Sequence, residues 1–420
     1  MKGGQGWDWE ISEKKVAIKA WEASFGWVEE PYASPDGEAV AAIVNVGEMA
    51  FSVCVNGKAW ESTFDKVWHL RYLPDGRLTA IVSEMGEWTA AIDDLAWDHK
   101  FGYVWNPLVS RDGKTVAVAA QQDMRYCMVL NGQPWSETFA NMTYFALSPC
   151  GTKTAAAVQV EDADSGEIHK FKKGPFSAAL DGTAWETTYV NVWGLAISPD
   201  GGSLAAEVRL NLYDYTIAVD GKAWDTTFSC VWEPIFRPET QRVVAPVRTK
   251  GQWTLAEDGN ILWDRRFVQL WQPAFSPDGK HLAAIVAPAY GRWTVALDGV
   301  PWTRTFSDMV TDMVFSPDGR RLAALAKEGS LWTVVVDGKA WSNSFDMAWP
   351  PVFSPDSETV AAKVEKEGTY AFVVNDRMGP HTCDAAWDPV FSPDGNRLLL
   401  RSVEDGIYYR RVVPVSDFVQ

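Results

Sequence analysis

Residues Trp271 to Val286 read WQPAFSPDGKHLAAIV, and two near copies follow later in the chain, WPPVFSPDSETVAAKV from Trp349 and WDPVFSPDGNRLLLRSV from Trp387. Each copy sets a short apolar run before a Ser-Pro-Asp turn and another after it. Pro suits the first central position of such a turn, and the Gly present in most copies tolerates positive φ. The stretch therefore reads as two strands joined by a tight turn. Aligned on it, the 420 residues resolve into ten units, starting at Pro35, Pro74, Arg111, Pro149, Pro199, Pro238, Pro277, Pro317, Pro355 and Pro393. The intervals are 39, 37, 38, 50, 39, 39, 40, 38 and 38 residues, so only the fourth unit carries a substantial insertion. A strand-rich period near 40 is the signature of propeller blades.

Inside one unit, 349–354 is a strand a, an apolar run such as 321–326 is a strand b, and an alternating run such as 331–336 is a strand c. Strand c ends in Asn-Gly or Asp-Gly in seven units, at Asn56, Asn131, Asp181, Asp220, Asp258, Asp298 and Asp337. That pair favours a type I′ hairpin, whose two central residues both need positive φ. Strand d follows, as in 339–345. The expected fold is all-β, a propeller of ten four-stranded blades.

Three aromatic columns run through the copies. The first lies five residues before the second turn: Phe51, Trp88, Tyr126, Phe176, Tyr215, Trp253, Trp293, Trp332 and Tyr370. The second opens strand d: Trp21, Trp60, Trp97, Trp135, Trp185, Trp224, Trp263, Trp302 and Trp341, with Gly379 the one departure. The third opens strand a: Trp68, Trp105, Trp193, Trp232, Trp271, Trp349 and Trp387, with Trp27 displaced by two. Large flat rings in the first two columns suit the wedge between neighbouring blades, each removing roughly 150–250 Å² from water.

The chain ends are complementary fragments. Lys19-Ala20-Trp21-Glu22-Ala23-Ser24-Phe25 matches the strand d of 339–345 but lacks a turn before it, whereas strands a, b and a c-like run, 407–413, follow Pro393 with no strand d after them. Pairing the first strand with the last blade closes an otherwise open edge. The even period and the absence of any linker favour one ring over residues 1–420, with two smaller propellers as the alternative.

A net charge of −17 argues against nucleic acid and anionic lipid surfaces as partners. The start, MKGGQGWDWEISEKK, has no apolar h-region, and no run is long enough to span a membrane, so the expectation is a cytoplasmic protein that is not exported. Cys54, Cys127, Cys150, Cys230 and Cys383 form no CxxC pair, and Cys54 and Cys127 sit in apolar strands as core residues do.

At FSPDGKHLAAIV the repeat resembles the WD40-like repeat of the TolB type over almost the whole chain. The tryptophan columns and the length resemble, more narrowly, the tryptophan-rich subunit of the transmembrane electron-transfer complex of sulfate-reducing bacteria. That resemblance implies three partners: a membrane cytochrome b, an iron–sulfur subunit related to heterodisulfide reductase, and a multihaem cytochrome c.

No catalytic motif is found. His69, His99, His169, His281 and His381 occupy unrelated repeat positions, and HExxH, GxSxG, the P-loop and the dinucleotide fingerprint are missing. Asp36, Asp75, Asp200, Asp278 and Asp318 read as caps of their own turns. The insertion at 161–175, EDADSGEIHKFKKGP, holds Asp162, Asp164 and Gly166 out of register for a calcium loop, so no metal or other cofactor is expected. The leading expectation is a non-catalytic scaffold or accessory subunit of a membrane-associated complex. A propeller enzyme with a channel active site and a lectin-like binder are the alternatives. The d-to-a and b-to-c connections should share one end of the blades. That end would carry Trp68, Trp105, Trp193, Trp232, Trp271, Trp349 and Trp387, and the Lys170, Phe171, Lys172, Lys173 finger, as a partner-docking surface.

Overall fold

The computed structural model describes Gly4 and residues 6–161, 174–238 and 240–418. Blade 8 illustrates how the repeat becomes structure. Strand a (Met309–Phe315), strand b (Leu322–Glu328), strand c (Leu331–Val336) and strand d (Lys339–Ala340) pair in sequence order, each antiparallel to the last. Strand b is buried on both faces from Leu322 to Ala326, which is why its sequence is an unbroken apolar run. Strand d is shorter than the sequence suggests. Beyond Ala340 a single bridge, Trp332 to Phe345, rejoins it to strand c.

Ten such sheets, one per repeat, make an all-β propeller of ten four-stranded blades. In four of them strand a is broken in two, as in Cys230–Val231 with Ile235–Phe236, at Pro31, Pro234, Pro351 and Pro389. Proline has no N–H to give the ladder. In the other six, strand a runs on through a bulge where one residue turns left-handed. His69, Asn106, Tyr144, Gln272 and Asp312 have φ between 47° and 53°, and Gly194 has 36°. Every strand a is thus kinked at one level, by proline or by a bulge.

The two turns of a blade lock each other. In the Ser-Pro-Asp turn the Ser276 hydroxyl donates to Asp278 at 2.6 Å and accepts the His281 N–H, while Asp278 also accepts the Lys280 N–H. These donors, the Ser276 hydroxyl first, hold the Asp278 carboxyl far below its ordinary range. The capping role read from the sequence is what these aspartates perform. In the second turn the Asp298 carboxylate accepts the N–H of Leu282 at 2.9 Å, and its equivalents do the same in eight other blades. The a-to-b and c-to-d turns therefore lie at one end of the nine blades that have both.

The chain divides into two compact units. One contains Met1–Glu48, Ser52–Trp60 and Phe267–Gln420, and the other Met49–Phe51 and Glu61–Arg266. Within each, apolar clusters bridge successive blades. In the second unit, Ala205, Ile217 and Phe228 of blade 5 pack with Val243, Ala245 and Val247 of blade 6.

In the first unit the amino-terminal strand completes the last blade, as expected, but its position is corrected. Ser12–Val16, not Lys19–Phe25, pairs antiparallel with Tyr408–Val412 of the strand Ile407–Pro414. No tight turn delivers Lys19 to a neighbouring strand, so Ile18–Ala23 coils into a 3-10 helix that keeps Trp21 buried against Gly57. The last blade then grips the first. Arg401 donates to the Ser34 carbonyl at 2.8 Å, Tyr408 to that of Gly37 at 2.8 Å, and buried Arg410 to that of Asp36 at 2.9 Å. The departure at Gly379 is also explained. Phe418, on the 3-10 segment Val415–Phe418, lies where a side chain at 379 would project, 2.6 Å from an added Cβ.

Candidate partner-docking surface

The opposite end of each blade carries the d-to-a and b-to-c connections, as the sequence predicts. Asp65, just before strand a of blade 2, accepts the N–H of Met85 at the b-to-c tip (2.7 Å), and the pairs Asp308–Gly329, Asp346–Glu367 and Asp384–Asp405 repeat that bond. The third-column tryptophans begin strand a at this end. Each rests on the first-column aromatic of its own blade: Trp68 on Trp88 (4.5 Å between centroids), Trp105 on Tyr126 (6.1 Å), Trp193 on Tyr215 (6.2 Å) and Trp232 on Trp253 (5.4 Å). Trp271 on Trp293 (4.5 Å), Trp349 on Tyr370 (5.4 Å) and Trp387 on Tyr408 (5.8 Å) continue the pattern. Tyr408 is the tenth member of the first column, invisible to an alignment on a turn that the last blade lacks. Local packing therefore accounts for part of each ring. None of the seven is fully buried, however, and Trp68 and Trp232 are 40% and 46% exposed.

The second column has a different task. Trp97, Trp135, Trp185, Trp224 and Trp302 each lie against the turn glycine of the next blade, with ring or Cβ atoms 3.1–3.4 Å from where a glycine Cβ would stand. Where aspartate replaces that glycine, it grips the same segment. Asp94 accepts the N–H groups of Glu61 and Ser62, and Asp376 those of Ser342 and Asn343.

The finger Lys170, Phe171, Lys172, Lys173 lies outside the described residues, as does His169. All five cysteines are free thiols, with Cys54, Cys127 and Cys383 buried. Burial pushes Cys54 and Cys127 up to about 11, so neither is a ready nucleophile. Among the described residues no group of three or more His, Cys, Asp or Glu could hold a metal. No helix among them is long and apolar enough to cross a membrane.

Two features escaped sequence reading. One is the apolar character of the b-to-c tips in the first three blades, legible only once the tips are placed. The other is a carboxylate pair. Glu207, on strand b opposite Trp193, faces Glu233 at the proline break of blade 6. Burial first, and then the Glu233 charge, push Glu207 up to about 7. In blades 9 and 10 the equivalent positions hold Lys363 and Asp388, an ion pair at 3.3 Å with the ammonium 4.5 Å from the Trp349 ring centroid.

No family model matches the chain, and no curated protein matches it either. Among solved structures, a eukaryotic initiation factor crystal structure is similar over 79% of this chain and 90% of its own, at 14% identity and a TM-score of 0.48. The β-propeller domain of Cps50 (Swd1) from Myceliophteria thermophila is similar over 65% and 96%, at 13% identity and a TM-score of 0.32.

Proposed function

We propose that the protein is a non-catalytic scaffold that holds protein partners at the d-to-a ends of its blades. One observation carries this reading. Seven of ten blades put a tryptophan at that end, and all seven keep part of the ring in reach of solvent, while Trp88 and Trp253 beneath are buried. Tryptophan is enriched at interface hot spots, where truncation costs about 2 kcal/mol or more. The finer reading rests on the resemblance drawn from the tryptophan columns. The protein is an accessory subunit of a membrane-associated electron-transfer complex, bringing no cofactor of its own. It is peripheral on the cytoplasmic side of the inner membrane through its partners, in a complex with a membrane cytochrome b, a cytoplasmic iron–sulfur subunit and a periplasmic multihaem cytochrome c. The Lys170–Lys173 finger and a single ring over residues 1–420 belong to the same proposal.

Pull-down from solubilised membranes of the native host, with haem and iron measured in the captured fraction, tests it. Replacing Trp271 and Trp349 with Ser should abolish co-purification of haem- and iron-bearing partners while the melting temperature stays within a few degrees. Undiminished capture by the double variant would sink the proposal.

A further inference from the structure

The b-to-c tips of blades 1 to 3 present methionine where the backbone favours something else. Met49, Met85 and Met124 have φ of 56°, 53° and 62°, in the left-handed region that Gly, Asn and Asp enter far more readily. Met85-Gly86 has the same form as Lys250-Gly251, Glu367-Gly368 and Asp405-Gly406, whereas Met49 and Met124 stand at the second turn position, where those turns have glycine. The three methionines are also 76%, 90% and 74% exposed. Neither turn geometry nor solubility calls for an apolar side chain there. The side chains are available for another use.

Their surroundings indicate what. Trp68 lies 4.5 Å from Trp88, Trp88 5.6 Å from Tyr103, Tyr103 5.8 Å from Trp105, and Trp105 5.9 Å from Phe145, an unbroken path of rings from blade 2 to blade 4. Trp68, Tyr103 and Tyr144 are exposed along it. The Asp65 bond to the Met85 N–H ties the blade 2 tip to the start of strand a, and Gln122 accepting the Gly102 N–H does the same in blade 3. Flexible, polarisable methionines at the same end of the blades as this path of rings make a surface that adapts to an apolar partner. The cations of this strip are engaged. Lys66 lies over the Trp68 and Trp88 rings, Lys100 pairs with Glu84, and Arg125 donates to the Thr138 carbonyl. Among the described residues Glu87 and Asp123, next to the methionine tips, form no ion pair, although the Lys100 ammonium that pairs with Glu84 also feels the Glu87 charge.

We infer that this strip of methionine and aromatic side chains on blades 2 to 4 is the docking site for an amphipathic protein segment with an apolar face and basic flanks. The inference rests on the docking role proposed above and adds the site and the partner's chemistry. The carboxylates favour cationic flanks and disfavour an anionic lipid surface.

The test uses the purified full chain and two synthetic amphipathic helical peptides with the same leucine pattern, one leucine/lysine and one leucine/glutamate. Binding is read by tryptophan fluorescence and calorimetry at physiological salt. The lysine peptide should bind, and the glutamate peptide should not. The double variant Met85→Asn, Met124→Gly suits the left-handed turns, so it should melt no lower than the parent while binding the lysine peptide about tenfold more weakly. Equal affinity of this variant, or equal binding of the glutamate peptide, overturns the inference. So does a concentration-dependent dimer that the variant abolishes, which would make a second copy the occupant. Binding to anionic vesicles lost in the same variant would overturn it in favour of a membrane. The Trp271, Trp349 serine variant should keep full peptide affinity, so failure of this site and failure of the general docking role are told apart.

Discussion

Glu207 stands where the repeat elsewhere puts an apolar residue or a cation. The strand b position opposite the third column is Ile81, Ala119, Ala157, Ile285 and Leu325 in blades 2, 3, 4, 7 and 8, and Lys363 in blade 9. Among the described residues no hydrogen bond or ion pair reaches the Glu207 carboxylate, and the charge facing it is Glu233. Glu233 is itself pushed up by burial, although solvent still reaches its side chain. The folded state therefore holds a proton on Glu207 more tightly than the unfolded chain does. The favourable contribution is complete below the ordinary glutamate value near 4.5 and is lost as pH rises through about 7. Its size is roughly 2–3 kcal/mol, discounted for the part of the side chain that water reaches. Glu207→Gln should remove this loss, so the stability gap between variant and parent should widen from pH 5 to pH 8. Glu207→Lys should go further, recreating with Glu233 the Lys363–Asp388 arrangement. Denaturant unfolding at the two pH values measures both, and a gap that stays constant with pH would mean Glu207 is ionised throughout.

At the scale of the element, the c-to-d turn joins its own blade to the one before. Its first residue holds strand b through a side-chain oxygen, and its second, usually glycine, lets the preceding blade's tryptophan lie flat on the backbone. Gly182 has φ 82°, and a Cβ there would sit 3.1 Å from the Cβ of Trp135, which is itself buried. Gly182→Ala meets both obstacles at once and should cost about 2 kcal/mol. Calorimetric melting would show it, and a shift under one degree would mean the ring yields freely. The kinked strand a works by the same economy. Proline breaks and left-handed bulges occupy one level, so different sequences give one shape.

At the scale of the molecule, the seam between the last and first blades carries the closure. Ser12–Val16 completes the last sheet, and Arg401, Tyr408 and Arg410 cap the carbonyls of the first blade's turn. Removing residues 1–25 strips both the strand and Trp21 and should lower the melting temperature by roughly 10 °C. The number of transitions is also informative. If the ten blades form one ring, the truncated protein should still unfold as a whole, only earlier. A scan in which half the unfolding enthalpy keeps its original midpoint would instead indicate two propellers.

Much of this was legible in the sequence, because a repeat states its own rules ten times. The period, the Ser-Pro-Asp and Asn/Asp-Gly turns, and the end of the blade that bears the third tryptophan column follow from hydrophobic patterning and turn chemistry. Those are local properties that a sequence contains outright. The sequence could not say that Ser12–Val16 rather than Lys19–Phe25 pairs with the last blade, since both are strand-like and only the partner's register chooses. Nor could it say that Phe418 stands in for the tryptophan missing at Gly379, that Trp271 rests on Trp293, or that Glu207 meets Glu233 instead of a cation. Those outcomes depend on which side chains the packing of neighbouring blades brings within a few ångströms, and that distance is fixed by the tertiary structure alone.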